Sequence, residues 1–124
     1  MFYALGQVAL GGALGASARY LTSVATMRLV GPGFPWATLA VNIIGSFLMG
    51  VTVTLLSHFS ATRLAPLLMT GMLGGFTTFS AFSLDAVTLW ERGDSGPALA
   101  YVLVSVVLSI GALLAGLTLT RSLS

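Results

Sequence analysis

The chain has 124 residues, of which 56% are hydrophobic and only 6% charged, against about 25% charged in soluble globular domains. A small body has much surface per unit volume, and five arginines with three acids cannot cover it. A water-soluble enzyme or nucleic-acid binder is therefore excluded, and a protein dissolved in lipid remains. The absence of cysteine removes disulfides and thiolate metal sites as well.

A membrane-spanning helix needs about 20 apolar residues, and turn residues and charges divide this chain into four such stretches, 3–28, 35–58, 64–90 and 98–119. The expected fold is thus one all-α membrane domain over 1–124. The first span is glycine-rich, is interrupted by Arg19 and ends at Gly31-Pro32-Gly33. Its Ala16-Ser17-Ala18 resembles a small-residue cleavage site, but no basic n-region precedes it, so the segment reads as a retained helix. Arg19 has three readings: a snorkelling side chain, an anchor for helix carbonyls, or an attractor of anions at a pore mouth.

The second span opens at Phe34-Pro35-Trp36, with proline in a first helical turn and tryptophan as an interfacial anchor. Asn42 lies inside it among apolar neighbours, where an amide must find a partner. It serves either as helix-to-helix glue or as a donor offered to a permeating species. His58, the sole histidine, closes this span and reads as interfacial.

The third span carries Gly74-Gly75-Phe76-Thr77-Thr78-Phe79-Ser80 at its centre. Paired glycines and threonines make a poor helix, and irregular backbone at membrane depth is tolerated only when buried in protein or lining a wet cavity. The expectation is a broken helix with halves at 64–73 and 81–90, whose free carbonyls suit a hard cation such as Na⁺. The competing reading is a simple kink. Phe76, Phe79 and Phe82 recur beside the break, and phenyl edges carry partial positive charge that an anion can meet without being trapped. Asp85 lies near the end of this span and reads as shallow.

Glu91 to Pro97 form the longest polar run, and the fourth span follows. Tyr101, Ser105 and Ser109 stand four apart on one helical face, either as hydroxyls bonded to their own helix or as a continuous polar track. Small residues recur four apart at Gly11/Gly15, Gly71/Gly75, Gly111/Ala115 and Ala112/Gly116, the spacing that lets helices touch. With four spans, Arg63 and Arg121 fall on one side and Arg28 and Arg92 on the other. The Lys/Arg excess that normally sets orientation is therefore balanced, which fits either short uninformative loops or insertion both ways round.

Three segments together resemble the CrcB/Fluc fluoride channel family: Gly11-Gly12-Ala13-Leu14-Gly15-Ala16-Ser17-Ala18-Arg19-Tyr20, Thr38-Leu39-Ala40-Val41-Asn42-Ile43-Ile44-Gly45, and Gly74-Gly75-Phe76-Thr77-Thr78-Phe79-Ser80-Ala81-Phe82-Ser83. The resemblance implies an antiparallel, dual-topology homodimer in the cell (inner) membrane, with two fluoride pores at the interface and no enzymatic activity. It implies that Phe79 and Phe82 contact fluoride, that Asn42 is a pore donor, and that Tyr101, Ser105 and Ser109 form a polar track. Arg19 falls near the aqueous vestibule, and the backbone carbonyls of Gly74 and Thr77 fall where the family holds a structural Na⁺. Asp85 stands where some relatives have glutamate, and its shorter side chain puts a vestibule role in doubt. A small multidrug-type transporter is disfavoured by the lack of an acid in the first span. A membrane scaffold leaves the broken helix unexplained.

Overall fold

The computed structural model describes residues 1–123, and among them every regular element is helical. Helix α1 spans Phe2–Leu29 and α2 spans Trp36–His58. A 3₁₀ turn at Thr62–Leu64 then leads into a π-helix at Pro66–Leu73, which runs without interruption into a single α-turn, α3, at Gly74–Phe76. Two extended residues follow, and α4 (Phe79–Glu91) and α5 (Ser95–Leu123) complete the chain. Three stretches, Trp36–His58, Thr62–Glu91 and Ser95–Leu123, are long and apolar enough to cross a membrane. Helix α1 is long enough, at 28 residues, but Arg19 near its middle, together with Gln7 and the glycines, keeps its hydropathy below theirs.

The helix ends are built from local chemistry. Pro35 sits one place outside α2, at its N-cap. At the other end of α2 the Ser60 N–H donates to the Ser57 carbonyl and Ala61 N–H to Leu56, with Ser60 in the left-handed region at φ 54°. The end of α4 repeats this closure with Gly93 at φ 89°, its N–H bonded to Trp90 and that of Asp94 to Leu89. This is the glycine-type helix stop, but at Ser60 a side chain occupies the place that glycine fills without strain. Ser60→Gly should therefore leave the fold unchanged and raise thermal stability by up to about 1 kcal/mol. Ser60→Val should lower the melting temperature, since a β-branched residue tolerates φ > 0 least.

Packing uses two different adhesives. At one end Leu39, Phe82, Leu89, Ala98 and Tyr101 form a buried apolar cluster, with Tyr101 fully enclosed. Phe34 meets the Tyr101 ring edge-on at 5.4 Å. Elsewhere the helices touch through glycine. A Cβ on Gly11 or Gly15 would run into the carbonyls of Leu67 and Met72, and one on Gly75 would lie 2.8 Å from the Gly12 carbonyl. Gly50 and Gly116 bring α2 and α5 together in the same manner. Of the four small-residue pairs expected, Gly111/Ala115 makes no such contact: Gly111 has open space around it.

Helix α1 packs mainly on the π-helical segment, and α2 mainly on α5. The 30–35 and 92–94 loops meet at one end, where an Arg92 guanidinium N–H donates to the Gly33 carbonyl at 3.1 Å while the same side chain pairs with Asp94 at 3.0 Å.

Candidate functional site: a broken helix beside an open polar groove

The break in the third segment falls within the 74–80 stretch that separates the two expected halves, and is confined to its threonine pair. Gly74 and Gly75 are helical, and the chain opens at Thr77 (φ −86°, ψ 159°) and Thr78 (φ −153°, ψ 124°). Threonine chemistry explains the position. Thr77 turns its hydroxyl back onto the Leu73 carbonyl at 2.9 Å, which ends the first half. Thr78 is the N-cap of the second, its Oγ1 accepting from Ala81 N–H at 3.1 Å. The glycines serve close approach instead, Gly75 lying against α1.

A broken helix leaves orphan carbonyls before the break and orphan N–H groups after it. Two side chains from other helices meet some of them. Arg19 Nε donates to the Gly75 carbonyl at 3.1 Å, so of its three readings the carbonyl anchor is the one the structure shows. Asn42 forms a two-way pair with the Thr78 peptide: its Nδ2 donates to the Thr78 carbonyl at 3.0 Å, and Thr78 N–H donates to its Oδ1 at 2.8 Å.

The carbonyls of Gly74 and Thr77 are left over. In an unbroken helix their donors would be the N–H groups of Thr78 and Ala81, four residues on. Those donors are taken by Asn42 and by the Thr78 hydroxyl, and among the described residues no side chain replaces them. Gly74 is exposed. Two unclaimed carbonyl oxygens are hard donors of the kind a hard cation accepts, so this backbone fits the Na⁺ that the motif implies. Two oxygens fall short of a full cation shell.

Beside the break lies a groove of about 410 Å³ whose wall includes Asn42, Thr77, Thr78, Phe79, Phe82, Ser105 and Ser109. It is open along one side. Phe79 stands at its lip, 77% exposed, whereas Phe82 is buried at 8%, and the two rings lie 5.5 Å apart. Gly45 lets Thr77 approach from the third segment, because a Cβ there would collide with the Thr77 methyl group. Ser105 is buried, and its Oγ has no hydrogen-bond partner among the described residues. A buried hydroxyl left unpaired costs on the order of 1–3 kcal/mol, and Ser105 is one of the residues that line the groove.

Tyr101 is placed differently from its companions. It does not line the groove but lies behind Phe82, with ring centroids 5.2 Å apart, and its hydroxyl donates to Asp85 Oδ2 at 3.2 Å. The i, i+4 row put all three hydroxyls on one face, but a tyrosine reaches past its neighbours into the apolar cluster. Asp85 is correspondingly half-buried and has a partner. His58 is exposed at the end of α2, its ring edge-on to Phe59. Sequence reasoning did not single out Thr78, whose capping hydroxyl and peptide organise the break. The signal was available in Thr78 standing three residues before Ala81 at a helix start.

Long apolar helices and an exterior studded with large hydrophobic side chains define an integral membrane protein. The family model described as "CrcB-like protein, Camphor Resistance (CrcB)" matches residues 7–117, and the chain belongs to that family. Relatives named "Fluoride-specific ion channel FluC" align over nearly their whole length. That of Cereibacter sphaeroides is 66% identical over 121 residues, covering 98% of this chain and 97% of the relative. The Paracoccus denitrificans protein is 61% identical over 117 residues, with 94% of each chain covered. That of Agrobacterium fabrum is 56% identical over 118 residues, with 94% of each covered.

Proposed function

We propose that this protein is a fluoride-selective channel that lets fluoride leave the cytoplasm passively and so protects against its toxicity. The observation that carries this reading is one groove bringing together Asn42, Phe79, Phe82, Ser105 and Ser109, with the Ser105 hydroxyl unpaired. The names of the full-length relatives support the same ion.

Fluoride is small and strongly hydrated, so entry requires replacement donors. The hydroxyls of Ser105 and Ser109 and the second Nδ2 hydrogen of Asn42 supply them, since an amide nitrogen carries two donors and Thr78 uses only one. The phenyl edges of Phe79 and Phe82 carry the ion across the apolar middle without holding it. Tyr101 acts from behind, backing Phe82.

A groove open on one side conducts only when a second wall closes it. That wall is a second copy of this chain, inverted in the membrane. Four transmembrane spans, counting α1, place Arg28 and Arg92 opposite Arg63 and Arg121, so neither orientation is preferred. An antiparallel homodimer in the inner membrane then encloses two pores, with the whole chain as its single domain. Its two-fold axis also brings the Gly74 and Thr77 carbonyls of both copies to one Na⁺, which supplies a fixed positive charge near the anion path. Arg19 adds a second positive charge from its place on the Gly75 carbonyl.

The test is anion efflux from liposomes holding purified protein. Fluoride, read by an ion-selective electrode, should leave rapidly while chloride stays. Fluoride retention, or chloride leaving equally fast, sinks the reading.

A further inference from the structure

The Asn42–Thr78 pair has a role distinct from that of a donor to a passing ion. We infer that Asn42 is the positioning residue of the helix break: its side-chain amide stands in for a peptide group and holds the Thr78 peptide away from the helical bond to Gly74.

Both of the bonds involved are short and run in opposite directions, Nδ2 to the Thr78 carbonyl and Thr78 N–H to Oδ1. Such a pair fixes the peptide groups on both sides of the Thr78 Cα, one of which a single bond would leave free to swing. It joins residues 36 positions apart, one on α2 and one in the break of the third segment. The local alternative is close at hand, because Thr78 N–H is the helical donor for the Gly74 carbonyl. Gly74 and Gly75 are already helical, so only Thr77 and Thr78 depart from the helix, and neither is a residue that forbids one. Their own hydroxyls favour the break locally, and Asn42 is the side chain from another helix that bonds to the extended backbone itself. Part of the amide is committed to this task, and only the remaining Nδ2 hydrogen is left to face the groove.

A consequence follows for the cation. By keeping Thr78 N–H on its own Oδ1, Asn42 leaves the Gly74 carbonyl unclaimed. This consequence rests on the Na⁺ reading above; the bracing of Thr78 does not.

The chain contains a single Thr-Thr pair, Thr77-Thr78. Labelling threonine with carbonyl ¹³C and amide ¹⁵N therefore isolates the Thr78 N–H as one carbonyl-coupled NMR signal in full-length protein. The Thr77 carbonyl ¹³C shift of that pair should lie in the extended range in the native chain. Asn42→Leu keeps the side-chain size but removes both bonds, so Thr78 N–H returns to the Gly74 carbonyl and the shift should move to the helical range, with helix content by circular dichroism nearly unchanged. Asn42→Asp keeps an acceptor oxygen for Thr78 N–H. The extended shift should persist in that variant while fluoride efflux is lost to the added negative charge. An extended shift in a folded Asn42→Leu protein overturns the inference. If Asn42→Leu does not fold, a helical shift in Asn42→Asp overturns it equally.

The cation consequence is read by melting temperature in Na⁺ against a bulky organic cation. The native chain and Asn42→Asp should be stabilised by Na⁺, and Asn42→Leu should not. Equal stabilisation in Asn42→Leu disproves the link to Gly74. No stabilisation in the native chain disproves the Na⁺ reading itself and leaves the carbonyl-shift experiment to decide the brace.

Discussion

Phe79→Ile should cut fluoride efflux from liposomes by roughly tenfold while the protein keeps its melting temperature and its dimeric elution. The ring is 77% exposed in the single chain, so removing it costs little packing within the protomer. What disappears is the polarised phenyl edge, whose electrostatic contribution is about 1–1.5 kcal/mol, a factor of about five to ten in rate. Phe82→Ile should suppress efflux too, but it reports less cleanly. Phe82 is buried against Tyr101 and Phe79, and shortening it leaves a gap in the aromatic part of the core, with a stability cost of about 1–2 kcal/mol. The exposed ring is therefore the sharper probe. Unchanged flux in both variants removes the phenyl groups from the ion path.

Gly15→Ala should damage the protein more than any change of comparable size on its surface. The added methyl would run into the Met72 carbonyl and lie 2.9 Å from the Phe76 N–H. Both are backbone atoms of the third segment, and neither can rotate aside as a side chain would. Relief requires α1 to back away from the π-helix and α3, which breaks the Gly11 and Gly75 contacts along the same seam. Overpacking of this kind costs about 1–3 kcal/mol, and the loss of neighbouring contacts puts Gly15 at the top of that range. Gly6→Ala is the matched control. Nothing lies within 4 Å of that position, so its better helix propensity should be neutral or stabilising by up to about 1 kcal/mol. Thermal unfolding in detergent distinguishes the two, and equal behaviour would mean that the seam tolerates separation.

Much of this architecture was legible in the amino-acid order. Composition pointed to lipid, and Gly31-Pro32-Gly33 and the polar run after Trp90 fall at the helix ends. The small residues at Gly11, Gly15, Gly71 and Gly75 mark a real seam because close helix approach demands the absence of a Cβ, a local and nearly context-free requirement. Asn42 was legible as an amide in need of a partner. Its partner, the Thr78 peptide, was not, because pairing across 36 residues depends on how α2 lies against the third segment. The confinement of the break to the threonine pair has a similar origin. Glycine lowers the cost of any irregular backbone, but Thr77 and Thr78 hold side-chain bonds that make one particular irregularity stable. Tyr101 left the expected polar row because side-chain length, not helical spacing, decided where its hydroxyl went. The π-helical winding of Pro66–Leu73 has no signal that a 3.6-residue period would show.

The pairing of helices also has a bearing on how the chain is made. Helices α1 and α2 leave the ribosome before the elements they pack on, and they touch each other only lightly. The glycine face of α1 awaits residues 66–76, and α2 awaits α5 (Ser95–Leu123). Each of the two thus enters the bilayer with its binding face still covered by lipid tails, α1 until the third segment has been made and α2 for longer, until α5 has. A chain halted after His58 holds two helices and no core. The protein's assembly is in this sense a post-insertion event, in which lipid is exchanged for protein along two seams, one closed by the third segment and the other by α5.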